Sequence, residues 1–201
     1  MAQTKSNIFL FYGEDSYSSL QKLKFWKQEF AKKYGEDAIE EIEGKALNPA
    51  DFTTNIQATP FLSEKRLTIV KDFLSQSDPE EQKQVAEGLD KTIEECLIVF
   101  YENEIPDKRT SLFKKISQIG QLEEFSLFSP QELLKWILSE AKTRDIKINT
   151  EEAAYLSQHI GPDLWTVSNE LEKLKLFANG APVSKAMIDA ICTPSLVSSI
   201  F

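Results

Sequence analysis

The sequence predicts an α/β domain built on a parallel five-stranded sheet, followed by a small all-α domain. Three observations carry this reading. Short apolar runs of strand length alternate with amphipathic helical stretches through the first 128 residues. The fourth of those runs, Cys96–Tyr101 (CLIVFY), is apolar at every position, as in a strand covered by helices on both faces. After Phe128 the strand signal stops, and only the three-four spacing of helices remains.

Ile8–Tyr12 (IFLFY) reads as the first strand. A helix follows from Ser16 to Tyr34, with Leu20, Leu23, Trp26 and Phe30 on one face. Ala38–Glu43 is a weaker strand, because its alternation is incomplete. Asn48 and Pro49 start the next helix, as N-cap and first helical residue, and it runs to about Gln57. Arg66–Lys71 is the third strand. Asp78 and Pro79 open another helix by the same logic, extending to about Leu89. Cys96–Tyr101 is the fourth strand, Thr110–Ile119 a short helix, and Gln121–Phe125 a fifth, edge-like strand. Strict β-α alternation implies a parallel sheet with right-handed crossovers.

The second part opens at Ser129-Pro130-Gln131-Glu132, a capping box with proline at the first helical position. Leu133, Leu134, Ile137, Leu138 and Ala141 share the face of that helix. Asn149 starts another, with Ala153, Leu156 and Ile160 apolar, and Gly161-Pro162 ends it. Asp163–Asn179 keeps the helical spacing, with Gly180 as the stop, and Ser184–Cys192 is a last short helix. A boundary near Ser126–Ser129 is expected, with domains at 1–128 and 129–201.

Charge and cysteine content narrow the function. With 23 basic and 32 acidic residues the net charge is −9. The part before residue 129 holds 16 basic and 23 acidic residues, the part after it 7 and 9. No global field attracts phosphates, which argues against a free-standing nucleic-acid or membrane-surface binder. No apolar run reaches the 18 residues of a transmembrane helix, and the N-terminal apolar run of about six residues is too short for a signal peptide. A cytoplasmic protein is expected. Cys96 and Cys192 form no CxxC, and His159 is the single histidine.

Ligands of an α/β sheet sit at the carboxyl ends of its strands. The first such turn reads Gly13-Glu14-Asp15-Ser16-Tyr17-Ser18-Ser19-Leu20. A phosphate-binding loop starting at Gly13 needs Gly, Lys and Ser or Thr at 18, 19 and 20; the residues there are Ser18, Ser19 and Leu20. Glu14 and Asp15 also repel phosphate from the helix N-terminus. Gly13 therefore reads as a turn residue, and Asp15 or Ser16 as an N-cap. Asp72 ends the third strand as the magnesium-handling acid of nucleotide hydrolases does. Without a phosphate loop it reads as a solvated strand end. His159 reads as a helix C-terminal residue that favours the dipole. The adjacent acid pairs, such as Glu80–Glu81 and Glu151–Glu152, read as solvated charge. No metal site, cofactor site or catalytic constellation is predicted.

One connection departs from the polar norm. Between the second helix and the third strand lies Ala58-Thr59-Pro60-Phe61-Leu62-Ser63-Glu64-Lys65. Phe61 and Leu62 follow a stiffening proline. They either tuck under the sheet as core or project as an interface anchor. Sequence physics leaves both open.

Taken in order, several segments resemble the delta-subunit family of bacterial DNA polymerase III. These are Phe9-Leu10-Phe11-Tyr12-Gly13-Glu14-Asp15-Ser16-Tyr17; Ala58 to Leu67, with its small-x-x-apolar-apolar-x-x-x-Arg pattern; and Leu97-Ile98-Val99-Phe100-Tyr101. Further matches are Arg109 to Ile116, Leu133-Leu134-Lys135-Trp136-Ile137, and Gly161-Pro162-Asp163-Leu164-Trp165 through Asn169 to Leu174. The resemblance spans essentially the whole chain.

It implies an AAA+-type nucleotide-hydrolase fold that binds no ATP, followed by the helical lid domain of that fold. It also implies a helical collar domain beyond Phe201, through which the subunit joins its ring. By the same resemblance Phe61 and Leu62 are a hydrophobic wedge for the sliding clamp (beta), with Pro60 and Thr59 beside them. Thr59 stands where relatives can carry a larger apolar residue. The implied partners are the clamp and the gamma/tau and delta prime loader subunits, with DNA met only inside the assembled complex and no membrane. The implied action is mechanical, opening the ring for loading onto primed DNA, with no enzyme activity and no cofactor of its own. The competing expectation is an α/β enzyme with a degenerate nucleotide site.

Overall fold

The computed structural model describes residues 6–193. The chain divides into two compact units between Phe125 and Ser126. In the first, strands β1 (Ile8–Tyr12), β2 (Ile39–Glu43), β3 (Arg66–Lys71), β4 (Cys96–Tyr101) and β5 (Gln121–Glu124) form one sheet. Their order is β2-β3-β4-β1-β5, and every neighbouring pair is parallel. Ile8 lies beside Ile98, and Leu67 beside both Ile39 and Leu97.

Because side chains alternate along a strand, each central strand feeds two cores. Ile8, Leu10 and Tyr12 of β1, Val70 of β3, and Ile98 and Phe100 of β4 face one side. There they pack on α2 (Pro49–Gln57), α4 (Pro79–Gly88) and α5 (Ser111–Ile119) through Phe52, Ile56, Val85, Leu112 and Ile116. Phe11, Leu67, Ile69, Val99 and Tyr101 face the other side, against Leu23 and Phe30 of α1 (Ser16–Tyr34). Trp26 of α1 stacks edge-on against Phe9 and Phe11 at 4.7 and 5.2 Å. Two covered faces explain why β4 has no polar position.

The helix starts follow local capping chemistry. Asn48 accepts from the Ala50 and Asp51 amides, and Asp78 forms a full capping box with Glu81. Each cap contributes about 0.5–2 kcal/mol. Three details differ from the sequence reading. The second strand starts at Ile39, because Glu36–Ala38 close a 3-10 turn. Leu89–Lys91 leave the α-helix for a 3-10 turn. A further helix, α3 (Phe73–Gln76), follows β3 directly. Four residues show no periodicity, so pattern reading passes over it.

The second unit packs α6 (Pro130–Thr143), α7 (Thr150–Ile160), α8 (Leu164–Ala178) and α9 (Lys185–Ile191). Its core is Leu133, Ile137, Ala153, Leu156, Val167, Leu171, Leu174 and Ile188, all buried. Ser129 and Glu132 form the expected capping box. α8 stops at Asn179, which takes the left-handed conformation at φ 45° ahead of Gly180. His159 stands in the last turn of α7, its ring 5.8 Å from that of Tyr155.

Candidate functional site

The connection from α2 to β3 lies at the amino edge of the sheet. α2 ends where the Ala58 amide donates to the Asn55 carbonyl at 3.2 Å. β3 begins at Arg66, whose guanidinium reaches back across the gap. Its Nη2 donates to the carbonyl oxygens of Asn55 and, at 3.2 Å, Ala58, and lies 3.3 Å from Cys96 Sγ. The Arg66 amide donates to the Glu95 carbonyl at 2.9 Å, and Ser63 Oγ donates to the Lys65 carbonyl at 2.7 Å. One arginine thus ties both ends of the loop to the sheet.

The tip is free of that framework. Phe61 is 97% exposed and Leu62 80% exposed; Thr59 is exposed and Pro60 half-buried. The core alternative for this pair is therefore not realised. Burying two such side chains contributes on the order of 3–6 kcal/mol, which this fold leaves unused. Single exposed apolar residues are ordinary, whereas two adjacent ones on a loop tied at its base have the form that an interface anchor takes.

At the carboxyl edge, where nucleotide hydrolases hold phosphate, the β1–α1 turn packs against the end of β5. Gly13 has φ 139°, and a Cβ there would lie 2.2 Å from the Phe125 carbonyl oxygen. The Asp15 amide donates to that same oxygen at 2.9 Å, and the Phe125 amide donates to Tyr12 at 2.8 Å. Asp15 is buried, and its carboxylate caps α1 by accepting from the Ser18 amide at 3.0 Å. Tyr12 and Lys108 both donate to Glu124, at 2.8 and 3.0 Å. The first turn's donors thus serve the protein's own acceptors.

Asp72 corrects the sequence reading. It is half-buried rather than solvated, and takes a left-handed backbone at φ 54°. Its carboxylate accepts from the Asn103 amide at 3.1 Å and from Asn103 Nδ2 at 3.0 Å. Beside it stands a residue that sequence reasoning missed. Glu102, one residue past β4, is 1% exposed. It accepts from the Leu74 and Ser75 amides at 2.7 and 3.1 Å, and so orders the start of α3. Burial pushes its carboxyl up to about 7, against those hydrogen bonds, which favour the charged form. The only sequence signal was an acid directly after an all-apolar strand. Among the described residues no three His, Cys, Asp or Glu side chains converge as a metal-ligand set. Burial pushes the Cys192 thiol up to about 12. No helix among the described residues is long and apolar enough to cross a membrane.

A parallel sheet in this order with helices on both faces, followed by a separate helical unit, places the chain in the AAA+-like class. Its most exposed apolar side chains sit on the tip between α2 and β3, tied at its base by Arg66. Over residues 9–127 the chain matches the model of the DNA polymerase III, delta subunit family, and it belongs to that family, which supplies a clamp-loader component of DNA replication.

Solved structures give the same fold. The Bacillus subtilis DNA clamp loader delta protein is similar with a TM-score of 0.58 and 20% identity, over 96% of this chain and 60% of that one. The chain thus spans three-fifths of that delta protein. Domain III of the Thermotoga maritima replication initiation protein DnaA aligns with a TM-score of 0.60 at 12% identity, over 94% of this chain and 85% of that one. The Thermotoga maritima RuvB Holliday junction branch migration motor aligns at 0.57 and 12%, over 92% and 60%. A search of curated protein sequences finds no match.

Proposed function

We propose that this chain is the clamp-binding arm of a clamp loader, and that Phe61 and Leu62 enter an apolar pocket on the sliding clamp. The observation that carries this is the near-complete exposure of both side chains on a loop braced at both ends by Arg66. A loop tied at its base loses less conformational freedom on docking than an untethered one, so more of its burial converts into affinity. Pro60 stiffens the approach, and Thr59 lies at the rim. With the tip seated, the helix behind it bears on the neighbouring clamp interface and lets the ring open for loading onto primed DNA.

The action is mechanical, and we assign the chain no catalytic step of its own. Nucleotide-driven gating belongs to the gamma/tau and delta prime subunits, which it joins within the loader. DNA is met within that assembly, in the cytoplasm. The test is calorimetry of the Phe61→Ala, Leu62→Ala double variant against the sliding clamp of the same genome. Clamp binding should be lost, with the melting temperature within about 2 °C of the parent, since neither side chain supports the core. Unchanged affinity would overturn the proposal. Clear thermal stabilisation of the parent chain by ATP and magnesium would instead favour a nucleotide-dependent enzyme.

A further inference from the structure

The docking loop has a neighbour at the same edge of the sheet. A cavity of about 810 Å³ opens where β1, β4 and β5 begin. That lies within the usual range of binding pockets. Phe9, Trp26 and Leu97 line it, all half-buried, and the Trp26 ring is held by its edge-on stack with Phe9. The wall is braced: Asn7 Nδ2 donates to the carbonyls of Ile93 and Cys96 at 2.8 and 2.7 Å, and Ser6 Oγ to that of Ile119 at 2.8 Å. The pocket is therefore preformed. Lys65, the last residue of the loop that carries Phe61 and Leu62, lines it too, so the cavity adjoins the base of that loop. Glu94, an exposed acid, stands on its rim with no ion-pair partner among the described residues.

Size points the same way. A stable interface buries roughly 800 Å² on each partner. A single aromatic residue buries about 150–250 Å², so a two-residue tip falls well short. The remaining area has to come from surface beside the loop.

We propose that this cavity is the receiving half of the docking surface. The clamp protomer that takes Phe61 and Leu62 returns an apolar side chain into the pocket, flanked by a basic residue that meets Glu94. This rests on the clamp-binding reading above. Gln121 is exposed on β5 and lines the cavity, so Gln121→Trp fills the space from the surface. Calorimetry of the 201-residue chain against the clamp should show at least a tenfold loss for Gln121→Trp with unchanged melting. Glu94→Lys, at an exposed position that keeps the test open if Gln121→Trp misfolds, should lose about threefold, more at low salt. A photocrosslinking residue at position 121 should capture a clamp peptide bearing adjacent apolar and basic side chains.

Affinity within twofold of the parent for both variants, while the Phe61→Ala, Leu62→Ala variant loses binding, would overturn this inference and leave the clamp reading standing. Parent-like binding by that double variant would remove both. Unchanged affinity, with equal losses of melting temperature for Gln121→Trp and for a chain lacking residues 1–5, would give the pocket to the chain's own start and overturn the proposal.

Discussion

Phe61 and Leu62 are the most exposed large apolar side chains among the described residues. Arg66 is what makes that exposure usable, because its guanidinium fixes the loop on both sides. Arg66→Lys should therefore lower stability by about 1–3 kcal/mol, as a compact ammonium cannot span the same carbonyls. It should also weaken clamp binding several-fold, whereas a rigid-tip loss through Phe61→Ala leaves stability alone; urea unfolding beside calorimetry separates the two effects. Glu102 gives a pH signature. Its folded pKa of about 7 lies above the ordinary carboxylate value of 4.5, so the folded state holds the proton more tightly. Stability from this group is full below about pH 4.5 and is lost as pH rises through about 7, by an amount on the order of 3 kcal/mol. Glu102→Gln should flatten that fall in denaturation curves recorded from pH 5 to 8. A parent chain whose stability rises across that window would contradict the assignment.

At the level of elements, the caps and the first turn decide where helices begin. Asn48 holds the start of α2, the helix that leads into the α2–β3 loop. Asn48→Ala should cost about 0.5–2 kcal/mol in urea unfolding. Clamp affinity should stay unchanged, because Arg66 fixes the far end of the loop independently. The β1–α1 turn is less forgiving. Gly13 combines φ 139° with a Cβ position 2.2 Å from backbone, and that backbone belongs to the strand end that completes the turn. Gly13→Ala should lower the melting temperature by far more than a helix-cap change, since neither the conformation nor the space admits a methyl group.

For the whole molecule, the net charge of −9 and the two-unit construction set the behaviour. Phe125–Ser129 carries no regular secondary structure, and Leu127 is well exposed. Brief chymotrypsin treatment should cut in this segment as well as at the exposed Phe61–Leu62 tip, and the cut here should separate the two units, a result read by mass spectrometry. Cuts that begin inside β4 or α8 would contradict the division. Affinity of this chain alone for primer–template DNA should be weak at about 150 mM salt, because no surface field releases counterions from the phosphates. The proposed work on a protein ring requires no such field.

Local chemistry was legible in the residues themselves. Asn48-Pro49, Asp78-Pro79 and Ser129-Pro130 mark helix starts because a cap binds amides two or three residues away. β1 and β4 showed as continuous apolar runs and the other three strands more weakly, and their alternation with helices implied the parallel sheet, because a crossover of that length admits little else. The degenerate phosphate loop was equally plain at Ser18, Ser19 and Leu20. Burial was not legible, since it depends on residues far apart in the chain. Whether Phe61 and Leu62 lie inside or outside, whether Asp72 meets solvent or Asn103, and whether Glu102 is a surface acid or a buried clamp on α3 were decided only when β3, β4 and the α2–β3 loop came together. The sequence by itself determined the five strands, the longer helices and the family resemblance. Tertiary structure alone decided which side chains remain for a partner, because exposure is a property of packing and no window of sequence contains it.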